Sequence, residues 1–213
     1  MSLIDRWQDA ADAGQRALAL WRAAGDTLRE GDTMRRLSRT MWRLCRGREA
    51  VVAAQNALAT LQPLGSSIEL AWAYANLATQ LSGDGENAAA IELAQRAQAV
   101  AEPLGAFEVL SDALNTEGCA AAAMDRSWTW QLHRALEIAI SEGLDEQAGR
   151  AFTNLCSMYC GQRRFSEAEQ YFADGIAYCD EHDISTFGTC LRGGRTDFMA
   201  QQGRWDEATR RWR

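Results

Sequence analysis

Between Glu69 and Ala106 the apolar positions fall into two runs of helical spacing separated by a glycine-rich break. In the first run Tyr74, Leu77, Ala78 and Leu81 recur three and four residues apart, which puts them on one stripe of a helix. After the turn Gly83-Asp84-Gly85, a second stripe of mostly small residues runs through Ala90, Ile91, Ala94, Ala97 and Ala101. Pro103 cannot continue a helix and Gly105 suits a left-handed cap, so the second run stops there. The spacing predicts a helical hairpin whose inner faces are short enough for two backbones to approach closely.

The same pattern returns along the chain. A small residue late in the second helix falls at Ala17, Ala57, Ala97, Ala135 and Gly175, 38 to 40 residues apart. An Ala opening that helix falls at Ala10, Ala50, Ala90, Ala168 and Ala208. Asn76-Leu77-Ala78 reappears as Asn154-Leu155-Cys156 and more loosely as Arg36-Leu37-Ser38, and Pro63-Leu64-Gly65 returns as Pro103-Leu104-Gly105. A fixed period of this length means a stacked array, because one hairpin cannot bury its apolar faces alone. The expected fold is all-α, with about eleven antiparallel helices in a right-handed superhelix of hairpins. Residues 1–213 then form a single array. A half hairpin spans 4–24, hairpins span about 27–64, 66–105, 107–143 and 145–183, and an incomplete one spans 185–213.

Several local expectations follow. Ile4 to Ala24 reads as an amphipathic helix with Ala10, Ala17 and Trp21 on its buried side. Past Gly25-Asp26 and Gly31-Asp32, Thr33 to Leu44 and Arg48 to Leu61 form the first complete pair. Ser66 and Ser166 each stand three residues before a Glu, a capping-box spacing. Trp128 and Trp130 replace the small residue found at Ala90, so the third hairpin should change its local geometry or carry a surface patch. Trp205 stands one repeat after Phe165 and should pack between hairpins. The chain opens half-way through a hairpin and Arg213 lies inside a helical pattern. It therefore reads as part of a longer protein, with uncapped ends through which it could self-associate.

Composition narrows the chemistry. All 22 basic residues are Arg, which removes the P-loop lysine and Schiff-base catalysis. A net charge of −7 argues against a direct grip on nucleic acid by this segment. No apolar run approaches the length of a membrane span, and six Cys without a secretory signal read as reduced thiols of a cytoplasmic protein.

Asn-Leu-small in the first helix, Glu-Ala opening the second, and Arg-Ala or Asn-Ala-Leu near its end resemble the tetratricopeptide repeat. Over nearly its full length the chain resembles the sensor region of LuxR/MalT-type bacterial transcriptional regulators. Residues 21–26, 31–39 and 175–179 carry that likeness. The resemblance implies a non-catalytic repeat region lying between an ATP-binding module and a helix-turn-helix. Its groove would bind a protein or peptide partner or a small effector. A stand-alone adaptor for protein partners and a peptide or small-molecule receptor are the alternatives.

Three sets of residues are candidates for chemistry. Arg35, Arg39 and Arg43 are spaced by four and share a helix face, with Trp42 beside them. By register Trp72, Thr79, Arg150, Thr153 and Ser157 line the same groove further along, a combination suited to a carboxylate, a phosphate or an acidic peptide. The competing reading is a solvated face paired with the acidic surplus. Cys156, Cys160, Cys179 and His182 match a tetrahedral zinc complement in number. However, Cys156 occupies a small buried position, and the tight Cys-x2-Cys spacing is absent. No metal or other cofactor is expected. Finally, His133 and His182 are the only histidines, and neither sits in a nucleophile motif, so no enzyme activity is expected.

Overall fold

A computed structural model describes residues 6–210, and eleven α-helices account for most of them. In chain order they are α1 (Trp7–Ala24), α2 (Thr27–Arg43), α3 (Gly47–Leu61), α4 (Ile68–Gly83), α5 (Asn87–Ala101) and α6 (Phe107–Ala122). Then follow α7 (Thr129–Ser141), α8 (Asp145–Gly161), α9 (Phe165–Glu181), α10 (Ser185–Gln201) and α11 (Trp205–Arg210). Single 3-10 turns at Gln62–Leu64 and Glu102–Leu104 use the two prolines, and no strand occurs among the described residues. Ile4 and Arg213, where the first helix was expected to start and the last to continue, lie outside the described residues.

A left-handed residue stands at every connection between helices. Positive φ occurs at 25, 45, 65, 85, 105, 125, 143, 163, 183 and 203, so the chain reverses every 18 to 20 residues. Six of these positions are Gly, and four are Cys45, Asp125, Arg163 and Asp183. Asp tolerates this region better than most residues, but Cys and Arg pay the Cβ–carbonyl conflict in full.

Even-numbered helices touch the even-numbered helices on either side as well as their own hairpin partners. Odd-numbered helices pack chiefly on even-numbered ones. The even layer is therefore the closer-packed, concave side of the array, and the odd layer is the convex side. Alanines set the spacing between layers. Ala50, Ala54 and Ala57 on α3 and Ala90, Ala94, Ala97 and Ala101 on α5 are all fully buried. Glycine brings two helices closer still. A Cβ at Gly31 would lie 2.4 Å from Leu61, and one at Gly149 would lie 2.7 Å from Phe187. Helix α6 is enclosed by α4, α5, α7 and α8, so every residue from Val109 to Gly118 is buried, the polar ones included.

Some local expectations need correction. Helix α2 starts at Thr27 rather than Thr33, because Asp26 accepts from Arg29 N at 3.0 Å and caps it there. Gly31 is thus a packing residue inside a helix and not a turn. On α1 the buried positions are Ala11 and Leu18; Ala10 is exposed and Ala17 and Trp21 are half-buried. The cap of α4 is Ser67, accepting from Leu70 N at 3.1 Å, not Ser66. Ser166 lies inside α9, whose N-cap position is Arg164 with no side-chain cap. Trp128 is buried before α7 while Trp130 is 64% exposed, and the α6–α7 connection is longer than the matching connections α2–α3, α4–α5 and α8–α9, as the two indoles suggested. Trp205 is also 64% exposed rather than packed between hairpins.

The left-handed positions carry a test. Arg163 is exposed at φ 57°, so Arg163→Gly should stabilise the fold by about 0.5–1 kcal/mol, the relief of strain exceeding the added freedom of the unfolded chain. Urea denaturation of the two proteins measures the difference.

Candidate interaction face

The concave face is built on a seam of polar side chains between neighbouring even-numbered helices. Asn76 on α4 donates to Ser38 Oγ on α2 at 2.9 Å, and Asn154 on α8 donates to Asn115 Oδ1 on α6 at 2.5 Å. Thr79 and Thr116 Oγ1 atoms are 3.1 Å apart across α4 and α6, and Arg150 on α8 donates to Thr116 Oγ1 at 2.9 Å. Arg150 also forms a short ion pair with Asp112 of α6. Burial is the largest single effect on Arg150 and lowers its pKa, but the charge and hydrogen bond of Asp112, together with the Cys119 and Glu146 charges, leave it above the ordinary value. The net effect keeps the guanidinium charged where water is scarce.

At the α2 end the arginine stripe divides. Arg35 is buried and held by Asp32 at 2.7 Å, with its guanidinium 5.5 Å from the Trp72 ring centroid. Burial would raise the Asp32 carboxyl, yet Arg35 and Arg36 hold it below its ordinary value. Arg39 reaches across the groove to Glu146 on α8 at 3.5 Å, and the two side chains are 43% and 62% exposed. Arg43 instead lies 5.0 Å over Trp7 of α1, and Trp42 is 55% exposed. On α8, Thr153 and Ser157 donate to carbonyls of their own helix, Gly149 and Thr153.

The structure therefore joins Arg35 to Trp72, Thr79 to Arg150 through Thr116, and Arg39 to the opposite wall. It does not bring Arg43, Thr153 or Ser157 into those contacts. Asp32, Asp112, Asn115, Thr116 and Glu146 were missed from sequence. The recurrence of Asn76, Asn115 and Asn154 at intervals of 39 was the available signal for the seam. Asn115 Nδ2 is buried there without a hydrogen-bond partner.

The cysteines lie elsewhere. Among the described residues no three His, Cys, Asp or Glu side chains converge as metal ligands. His182 Nδ1 meets Asp145 at 2.9 Å and its ring stacks on Tyr178 at 4.1 Å. Burial pushes the thiols of Cys156 and Cys179 up, and it pushes Cys160 up to about 11 with help from the Glu169 charge. These remain thiols at neutral pH and are poor nucleophiles and ligands. His133 Nε2 lies 3.0 Å from both Tyr159 and Tyr171 hydroxyls, and burial, followed by the Arg164 charge, lowers its pKa.

No family model matches the sequence, and no curated protein matches it. Solved structures do match in fold. Aspartyl phosphate phosphatase F of Bacillus subtilis superposes at TM-score 0.77 and 14% identity, over 97% of this chain and 55% of its own. This chain thus spans about half the length of that protein. BtubC (BKLC) of P. vanneervenii gives TM-score 0.68 at 17% identity, covering 99% of this chain and 91% of its own. A set of nearly identical TPR-like repeats from Podosopora anserina gives 0.63 at 15%, over 84% and 90%. The chain has a tetratricopeptide-like helical-repeat fold. At these identities the likeness establishes architecture alone.

Two outcomes test this description. Asp112→Ala strands a largely buried guanidinium and should cost about 2–3 kcal/mol. Adding Arg150→Met should recover part of that loss in a double-mutant cycle. The lowered His133 pKa makes the native state refuse a proton that the unfolded chain accepts near its ordinary value of 6.5. Stability is therefore lost as pH falls from above 6.5 to the folded pKa, and does not change further on this account below it. The His133→Gln protein should show a shallower fall in Tm across that window.

Proposed function

We propose that this repeat array is a non-catalytic interaction and effector-sensing module whose concave face takes an acidic segment of a protein partner. The cross-groove pair between Arg39 and Glu146 carries this reading. Its 3.5 Å separation and exposed side chains make it worth little in stability, so an incoming carboxylate can replace Glu146 at small cost. Around it, Arg35 and Trp72 form a rigid cation–aromatic wall, and the Thr79–Thr116–Arg150 chain fixes the neighbouring helices. Thiols shifted away from thiolate and a His133 committed to two tyrosines support the non-catalytic assignment.

The finer reading is a sensor region of a LuxR/MalT-type transcriptional regulator, acting inside the cell. Partner binding on the groove would then bias the parent between resting and active assemblies. The resemblance in residues 21–26, 31–39 and 175–179 supports it. An encoding reading frame with a Walker-type loop upstream and a helix-turn-helix downstream agrees with this reading. A frame without them contradicts it.

For the groove itself, fluorescence anisotropy of a labelled Glu-rich peptide is the test. Arg39→Glu should weaken binding by about tenfold, whereas Glu146→Gln, which frees Arg39, should tighten it. Unchanged affinity in both variants would contradict the assignment.

A further inference from the structure

A cleft of about 450 Å³ opens on the convex side between α1 and α3, with α2 beneath it. Met34, Leu37 and Met41 supply its floor, and Leu18, Val52 and Ala53 line its sides. Its size falls within the usual range for small-molecule sites.

The repeat itself shows what such a cleft looks like when filled. A shift of 118 residues carries α1, α2 and α3 onto α7, α8 and α9. It takes Ala57 onto Gly175, Ser38 onto Cys156, and the Arg46–Glu49 ion pair onto Arg164–Glu167. At the second place Tyr159 and Tyr171 stack with centroids 5.4 Å apart and planes 10° apart. His133 bridges their hydroxyls, and the Arg164 guanidinium lies 4.6 Å from the Tyr159 ring centroid. At the first place those three ring positions are Met41, Ala53 and Gln15, all lining the void. The cation of the filled version survives as Arg46, while its aromatic rings are gone.

The remaining chemistry identifies what would occupy the space. Two methionines give a soft, adaptable surface for a flat apolar group. At the rim, Arg22 is paired with Glu30 at 2.8 Å, but Arg48 has no ion-pair partner among the described residues and is exposed. We propose that this cleft binds a small planar aromatic anion, its ring between α1 and α3 where the tyrosines stand in the filled copy and its negative group on Arg48. The site is distinct from the concave groove and lies on the opposite layer of the array.

Indole-3-acetate and its uncharged counterpart indole-3-ethanol are suitable probes, read by the labelled methyl resonances of methionine. Indole-3-acetate should shift Met34 and Met41 and leave Met158 and Met199 unmoved. Ala53→Tyr, which fills the void as Tyr171 does, should abolish those shifts in a protein with native helicity and cooperative melting. Arg48→Gln changes only an exposed rim residue, so it keeps the test open if Ala53→Tyr fails to fold. It should weaken indole-3-acetate by about tenfold and leave indole-3-ethanol unaffected. Arg39→Glu on the concave face should not alter binding, so loss of the groove reading would leave this site standing. Three results would overturn the proposal: no Met34 or Met41 shift at about millimolar probe, equal binding of the acid and the alcohol, or undiminished shifts in a folded Ala53→Tyr protein.

Discussion

Each helical hairpin in this chain is stable only because its neighbours cover it. The inner surfaces are rich in Ala and Gly, and an isolated pair of such helices would bury too little apolar area to offset the entropy of ordering it. Stacking solves this by letting one helix serve two interfaces, and α6 is the extreme case, buried on all sides over Val109–Gly118. Short side chains also bring the helices close. That places Ser111 Oγ 2.8 Å from the Ala135 carbonyl oxygen and lets Asn and Thr on successive even helices meet directly. The apolar spacing and the polar seam therefore have one origin.

What the sequence revealed, and what it hid, follows from that origin. The all-α fold was legible because the Ala positions recur at nearly fixed intervals and both prolines fall at helix ends. The candidate site was only partly legible. Arg35, Arg39 and Arg43 share a helix face in any account, but their fates depend on partners from other helices. Asp32 captures Arg35, Glu146 of a distant hairpin meets Arg39, and Trp7 of the preceding helix draws Arg43 away. Periodicity within one helix contains no information about such partners. Gly31 misled for a related reason, since glycine marks a turn and a close helix contact with the same letter. The left-handed connections were visible where they are Gly and hidden where they are Cys45 or Arg163, residues with no preference for that conformation.

The two proposed sites occupy layers of unequal character. On the concave side charge is mostly committed internally, and the groove's adaptable element is the weak Arg39–Glu146 pair spanning it. On the convex side the repeat varies its filling, from a tyrosine–histidine cluster around α8 to an open cleft above α2. The periodic scaffold repeats the same three-helix framework, α1–α3 and α7–α9 being offset by 118 residues, around the two different fillings.

Native-state amide hydrogen exchange tests the central claim most directly. If burial by neighbours holds the array together, protection should peak in α6 over Val109–Gly118 and decline outward through α4 and α8 towards α1 and α10. Uniform protection along the chain, or a maximum in a terminal hairpin, would show that the hairpins are stable by themselves and would contradict this account.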